Sequence, residues 1–177
     1  EIQETINNYG DDRKTIIDDR DLGGMKVEDL IKKEDMVVTL THEGFIKRTV
    51  LTSYRSQRRG GVGKTGATSK NDDFAENVFV ASTHDYIVFF TNLGKCFWRK
   101  VYELPEASLI ARGRSLNNLL NLSNKETVKA CVSISDFEQD RYLVMSTKRG
   151  VIKKTKLEEY SRPRANGIIA INLKNDD

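Results

Sequence analysis

The residues best suited to chemistry are Gln57-Arg58-Arg59-Gly60-Gly61-Val62-Gly63, which lie inside a stretch without a single acid. From Gly44 to Asn71 there is no Asp or Glu, while Lys47, Arg48, Arg55, Arg58, Arg59, Lys64 and Lys70 give a charge of +7. The residues before it carry twelve acids against six bases, and those after it fourteen against sixteen, so a chain of net +3 gathers its positive charge in one segment. Three glycines beside two arginines remove side-chain bulk, so that backbone N–H groups and guanidinium forks can meet one surface. A polyanion backbone is recognised by that combination. A solvated basic turn is the plain alternative.

Gly63-Lys64-Thr65 imitates the end of a nucleotide-binding P-loop, but the pattern requires glycine where this chain has Arg58. A P-loop also follows a buried apolar strand and opens a helix. Here Tyr54-Arg55-Ser56-Gln57 is polar and Gly66 to Asn71 reads as loop. Cys96, Cys131, His42 and His84 are the soft or imidazole ligands available, and no two have zinc spacing. The cysteines read as reduced thiols of a cytoplasmic protein. No apolar run approaches a membrane span and no signal peptide is apparent. With 177 residues, 38% of them hydrophobic, the chain can fill one core or several small modules sharing one. It lacks an initiator Met and opens within what reads as a helix, as a piece of a longer protein would.

The elements that must carry the basic segment form a repeat. Three segments align on Thr-x-x-Gly: Val37 to Gly44, Ile87 to Gly94 and Leu143 to Gly150. Each is a β-rich run, a glycine-bearing turn, and a second run with a base: Phe45-Ile46-Lys47-Arg48, Cys96-Phe97-Trp98-Arg99 and Val151-Ile152-Lys153-Lys154. That is a hairpin signature. Tyr54, Leu104 and Tyr160 follow at a common distance, then Gly61, Gly113 and Gly167. Alternating stretches come next: Phe74 to Ala81, Leu116 to Leu122 with Val128 to Ile134, and Ile168 to Leu173. The pattern predicts about four strands per unit of some fifty residues, the size of a propeller blade, with neighbours stacking to share a core. The expected division is a tail and linker over residues 1–27, blade 1 over 28–80, blade 2 over 81–134 and an incomplete blade 3 over 135–177. Ile2, Ile6 and Tyr9 share a helical face that Gly10 would end, and Gly23-Gly24 marks a hinge.

QRRGGVG resembles the gyrase-A box of the bacterial DNA gyrase family, with Val62 where relatives often carry a base. The likeness covers the whole chain. Asn8 to Thr15 resembles the exit from that family's cleavage domain; Glu28 to Ile31 and Val37 to Gly44 resemble its first blade; Lys100 to Ala107 and Ala111 to Arg114 resemble its second. The resemblance implies an all-β, propeller-like β-pinwheel of four-stranded blades behind a short helical tail. It also implies sequence-nonspecific binding and wrapping of double-stranded DNA, so that the complete enzyme supercoils negatively. Phosphate contacts are expected from Gln57, Arg58, Arg59, Gly60, Gly61, Gly63 and Lys64, then from Lys47 and Arg48. Blade 2 would add Arg99, Lys100, Arg112 and Arg114, and blade 3 Lys148, Arg149, Lys153 and Lys154. The family's cleaving tyrosine and ATPase lie elsewhere, so the resemblance implies no catalytic residue, metal or cofactor here. ATP and Mg²⁺ would serve the complete enzyme. Its implied partners are the gyrase B subunit, a second A subunit, in the manner of a homodimer, and DNA, all in the bacterial cytoplasm. Trp98 and the tyrosines, which could stack on bases, read as core because they fall within strand runs. The alternatives are the equivalent domain of topoisomerase IV and a protein-binding propeller.

Overall fold

In the computed structural model, residues 2–10, 26–54, 73–137, 140–162, 164–174 and 177 are described. They fall into two units, Glu1–Leu30 and Ile31–Asp177. In the first unit, helix α1 (Ile2–Tyr9) ends where the Gly10 N–H reaches the Ile6 carbonyl at 2.8 Å. Its apolar face (Ile2, Ile6, Tyr9) is exposed. A 3-10 turn follows at Val27–Leu30, with the Asp29 carboxylate accepting from the Lys26 N–H at 2.9 Å. The Gly23-Gly24 hinge lies outside the described residues.

The second unit is built of antiparallel strands. Hairpin β1 (Asp35–Thr41) and β2 (Phe45–Val50) is flanked by β3 (Ala75–Ser82) and by a short β6 (Arg114–Ser115), in the order β3-β1-β2-β6. Hairpin β4 (Tyr86–Thr91) and β5 (Lys95–Lys100) is flanked by β7 (Val128–Ile134) and β10 (Ile168–Ile169), in the order β10-β5-β4-β7. The third hairpin, β8 (Tyr142–Ser146) and β9 (Ile152–Lys156), forms a two-stranded sheet. All three hairpins turn through the Thr-x-x-Gly motif. Gly44, Gly94 and Gly150 have φ of +80°, +71° and +80°, and each donates its N–H to the threonine carbonyl at 2.9 to 3.0 Å.

The four strands of a sheet do not come from fifty consecutive residues, as the repeat predicts. Each of the first two hairpins takes its outer strand from its own repeat and its fourth from the next: β6 pairs with β2, and β10 with β5. Gly113 and Gly167, at φ +92° and +74°, turn the chain into these borrowed strands. The hand-over is locked where Leu116 N–H reaches the Gly44 carbonyl and Ala170 N–H reaches the Gly94 carbonyl, each at 2.9 Å. Sequential sheets are thereby stapled by backbone bonds as well as by shared cores.

Leu116 to Leu122 is a second departure. Its leucines suggest a strand, but Leu116–Asn118 is a 3-10 turn capped by Ser115, whose hydroxyl accepts from the Asn117 N–H. Spacing decides this: Leu116, Leu119 and Leu120 fall three and four apart, so one helical face enters the core. That core joins Met36, Val38, Leu40 and Ile46 of the first sheet to Ile87, Phe89 and Phe97 of the second. A second core joins Val88, Cys96 and Ile134 to Phe137, Leu157, Tyr160 and Ala170.

Candidate nucleic-acid interface

The candidate interface rests on bases of the hairpins and on the segment after β2. Gln57, Arg58, Arg59, Gly60, Gly61, Gly63 and Lys64 lie outside the described residues. The flanks of that segment are described. Tyr54 closes the Leu51–Ser53 turn with its N–H on the Leu51 carbonyl at 3.0 Å, and Asp73 resumes the chain ahead of β3.

Several predicted phosphate ligands are turned inward, and Lys47 requires a correction. It lies opposite Thr39 in the β1–β2 register and is only 1% exposed. Its ammonium donates to the carbonyls of Ser108, Leu109 and Ala111 at 3.2, 2.5 and 2.8 Å. Burial lowers its pKa from the ordinary lysine value. An ammonium so engaged organises the 108–111 segment and does not face a phosphate. Thr49, two residues on and so on the same face, adds a hydrogen bond to the Ala107 carbonyl at 3.0 Å.

Arg48 is corrected for a related reason. Its Nε donates to the Leu104 carbonyl at 2.8 Å and Nη2 meets Glu106 at 3.1 Å. The equivalent position in the second hairpin is Trp98, whose Nε1 donates to the Tyr160 carbonyl at 3.2 Å. Leu104 and Tyr160 occupy matching places in successive repeats, so Arg48 and Trp98 perform one task, tying a hairpin to the repeat that follows. Trp98 also packs edge-on to Tyr86 at 5.0 Å and tilts against Phe137 at 5.8 Å, which places it in the second core. Arg99 too serves the interior, giving Nε and Nη2 to the Leu119 carbonyl at 3.2 and 3.0 Å.

Lys100 and Arg112 are half-exposed and partnered. Lys100 Nζ donates to the His84 carbonyl at 2.8 Å and lies 3.7 Å from the Tyr86 ring centroid. Arg112 pairs with Glu43, approaches Asp73 at 3.5 Å and stacks over Phe45 at 3.7 Å. Arg114 is exposed on β6. The third hairpin turns its bases outward: Lys148 and Arg149 stand exposed at its tip. Lys154 is exposed above Tyr142 at 4.0 Å, while Lys153 leans back to the Ala170 carbonyl at 2.6 Å. Among the described residues, the predicted bases that stand outward are thus Arg114 and those of the third hairpin, while Lys47, Arg48, Arg99 and Lys100 hold backbone carbonyls.

Sequence reasoning misses a carboxylate that closes each hairpin tip. Asp73 accepts from the Glu43 N–H at 3.0 Å and from the Thr41 hydroxyl. Glu126 accepts from the Thr91 hydroxyl at 2.7 Å and the Ser123 N–H at 2.9 Å. Asp177 accepts from the Thr147 hydroxyl at 2.8 Å and the Arg149 N–H at 2.7 Å. Burial pushes the Asp73 and Glu126 carboxyls up. The hydrogen bonds to Glu43 N–H and Thr41, or to Ser123 and Thr91, outweigh it, with Arg112 or Lys95 assisting, and both stay below the ordinary range. The available signal was placement: Asp73 and Glu126 each stand just ahead of an outer strand. Among the described residues, no group of three or more His, Cys, Asp or Glu is arranged to hold a metal ion.

Sheets of a few antiparallel strands, stacked by repetition and stapled by exchanged edge strands, define a propeller-type module. The family described as "DNA gyrase C-terminal domain, beta-propeller" matches residues 35–82, 85–135 and 141–177, the three repeats in turn. The DNA gyrase A subunit of Haemophilus influenzae is 48% identical over 177 residues, all of this chain and 20% of the relative. That of Clostridium acetobutylicum is also 48% identical over the full chain, which covers 21% of it. Among solved structures, the C-terminal domain of a DNA topoisomerase IV superposes with a TM-score of 0.68 at 32% identity, over 82% of this chain and 44% of that one. A DNA gyrase A C-terminal domain gives 0.64 at 27% identity, over 81% and 45%. The chain belongs to the DNA gyrase C-terminal domain family, and it spans about a fifth of the length of the curated relatives it matches.

Proposed function

We propose that this chain is the DNA-wrapping part of a gyrase A protein, binding duplex DNA through its backbone without reading sequence. The observation that carries the reading is the intact Gln57–Gly63 motif, set in an acid-free stretch of charge +7 on a chain of this family. The outward bases Arg114, Lys148 and Lys154 extend that charge onto later repeats. Duplex bending costs on the order of 1–6 kcal/mol per 20–30 base pairs, so wrapping demands cations spread along the bent path. No element resembles a recognition helix among the described residues, in keeping with contacts made to phosphate. Within a complete enzyme, wrapping would fix the sign of the crossing presented to the cleavage gate and so permit negative supercoiling. Strand cleavage, ATP and Mg²⁺ would be handled by parts outside this chain. Its partners there would be the gyrase B protein and a second A protein, in the bacterial cytoplasm.

The topoisomerase IV likeness supports a second reading, a domain that binds DNA without enforcing negative supercoiling. Plasmid topology assays on the reconstituted enzyme separate the two. Replacing Arg58 and Arg59 with Ala should flatten the salt dependence of DNA affinity by about one log–log unit each. Supercoiling should be lost while cleavage and relaxation persist. Supercoiling that survives loss of both arginines would refute the role given to the motif.

A further inference from the structure

We propose that Asp177 is a positioning residue for the third hairpin, holding its tip so that Lys148 and Arg149 meet phosphate, an inference that rests on the DNA-binding reading above. The three tips differ in what they carry. Between the threonine and the glycine stand His42-Glu43 in the first, Asn92-Leu93 in the second and Lys148-Arg149 in the third. Only the third presents two permanent cations, and both are exposed.

The tips also differ in how they are held. In the first two, a carboxylate grips the threonine and a backbone donor grips the glycine. Asp73 works with the Leu116 N–H on the Gly44 carbonyl, and Glu126 with the Ala170 N–H on the Gly94 carbonyl. At the third tip the carboxylate of Asp177 accepts from the Thr147 hydroxyl at 2.8 Å and from the Arg149 N–H at 2.7 Å. Among the described residues, no backbone donor reaches the Gly150 carbonyl. A cleft of about 600 Å³, lined in part by Val132 of β7, Met145 of β8 and Leu173, runs beside this hairpin. The chain that brings Asp177 here starts from the second tip, where the Ala170 and Ile171 N–H groups share the Gly94 carbonyl at 2.9 and 3.0 Å. The Asp177 N–H in turn reaches the Lys174 carbonyl at 3.1 Å. A charged acceptor on the Arg149 backbone makes strong hydrogen bonds. It also limits the freedom that the tip must surrender when its cations settle on phosphates.

Charge alone and positioning make opposite predictions for Asp177→Ala. Removing an acid beside two bases should tighten DNA binding if charge is all that matters. Positioning predicts binding about threefold weaker. The log–log salt slope should become less steep by about one unit, at roughly 0.9 for each phosphate no longer neutralised. Thr147→Val removes the hydroxyl partner without changing any charge, so charge alone predicts no effect and positioning predicts a loss in the same direction. Glu126→Gln removes an acid at a tip without bases and should leave the slope unchanged. A Lys148→Gln/Arg149→Gln variant should itself flatten the slope by about two units, and adding Asp177→Ala to it should change nothing further.

The experiment is fluorescence anisotropy of the 177-residue chain and its folded variants with a labelled mixed-sequence duplex over a range of salt. It is paired with amide hydrogen exchange at Arg149, followed by NMR without DNA. Exchange there should quicken most in Asp177→Ala, less in Thr147→Val and not in Glu126→Gln. Binding as tight as the parent's with an unchanged slope in Asp177→Ala or Thr147→Val overturns the proposal. So does a loss that persists after both bases are gone, or Arg149 exchange as slow as in the parent. A parent chain without salt-sensitive binding refutes the DNA reading instead, and exchange at Arg149 still decides whether Asp177 holds the tip.

Discussion

Replacing Lys47 with methionine separates two roles that charge alone confuses. The ammonium meets the carbonyls of Ser108, Leu109 and Ala111 from a residue 1% exposed, so its loss takes this donor from the half-buried Leu109 and Ala111 carbonyls, while the Ser108 carbonyl keeps the Ala111 N–H at 3.2 Å. Net hydrogen bonds to charged groups contribute about 1.5–3 kcal/mol each. Bringing the ammonium out of water offsets several kcal/mol of that sum, and methionine keeps most of the buried stem. The balance is a destabilisation of about 3 kcal/mol, since each carbonyl left without a donor forfeits about 1–3 kcal/mol. At a urea dependence of roughly 2 kcal/mol per molar, the unfolding midpoint should fall by about 1.5 M with an unchanged slope. Under conditions where the variant is folded, DNA affinity should retain the parent's salt slope, because no phosphate ligand has gone. A midpoint shift below about 0.3 M together with a salt slope flattened by about one unit would show that Lys47 reaches phosphate, and would refute the inward assignment.

Gly113→Ala should cost more than about 2 kcal/mol in urea unfolding, because φ is +92° and a Cβ would collide with the Ile46 carbonyl. Gly44→Ala, at φ +80° but with open space around a Cβ, should cost about 1–2 kcal/mol; equal losses at the two sites would contradict the close approach of β6 to β2. The depressed carboxyls of Asp73 and Glu126 stabilise the fold fully above their ordinary values of 3.8 and 4.5, and that contribution disappears as pH falls through the lower folded-state values. Acid urea titrations should therefore show stability declining below about pH 4.5, with a shallower decline in an Asp73→Asn/Glu126→Gln double variant. Burial pushes the Cys96 thiol up to about 12, and burial with the nearby Glu76 charge pushes Cys131 up to about 11. Native protein at pH 8 should react with a thiol reagent far more slowly than protein in urea, and labelling as fast as a free thiol would place either cysteine outside the core.

The hairpins were legible because their signal is local. A positive-φ glycine three residues after a threonine, between β-branched and aromatic runs, specifies a turn whatever surrounds it. The exchange of edge strands was not legible. Arg114-Ser115 and Ile168-Ile169 are two residues long, too short for alternation to register, and their pairing depends on where an earlier hairpin lies. Leu116 to Leu122 misled for a different reason: apolar residues alone do not separate a strand from a helical turn, and the deciding feature was Ser115 beside leucines three and four apart.

The bases of β2 show where the reasoning from charge ended. Aligning the repeats on their turn glycines puts Lys47 with Phe97 and Arg48 with Trp98, and both second-repeat residues pack against the cores. A lysine that alternates with a buried phenylalanine occupies a position between stacked sheets, whatever its charge. It can remain there because carbonyls of the next repeat satisfy its ammonium, just as Arg48 and Trp98 each find a carbonyl there. Lys47 and Arg48 of β2 are thus drawn toward backbone at the joint between the first two repeats. A charge map for a stacked-blade protein should therefore discount bases that hold a neighbouring repeat, which among the described residues leaves exposed positions such as Arg114, Lys148 and Lys154 to carry the outward charge.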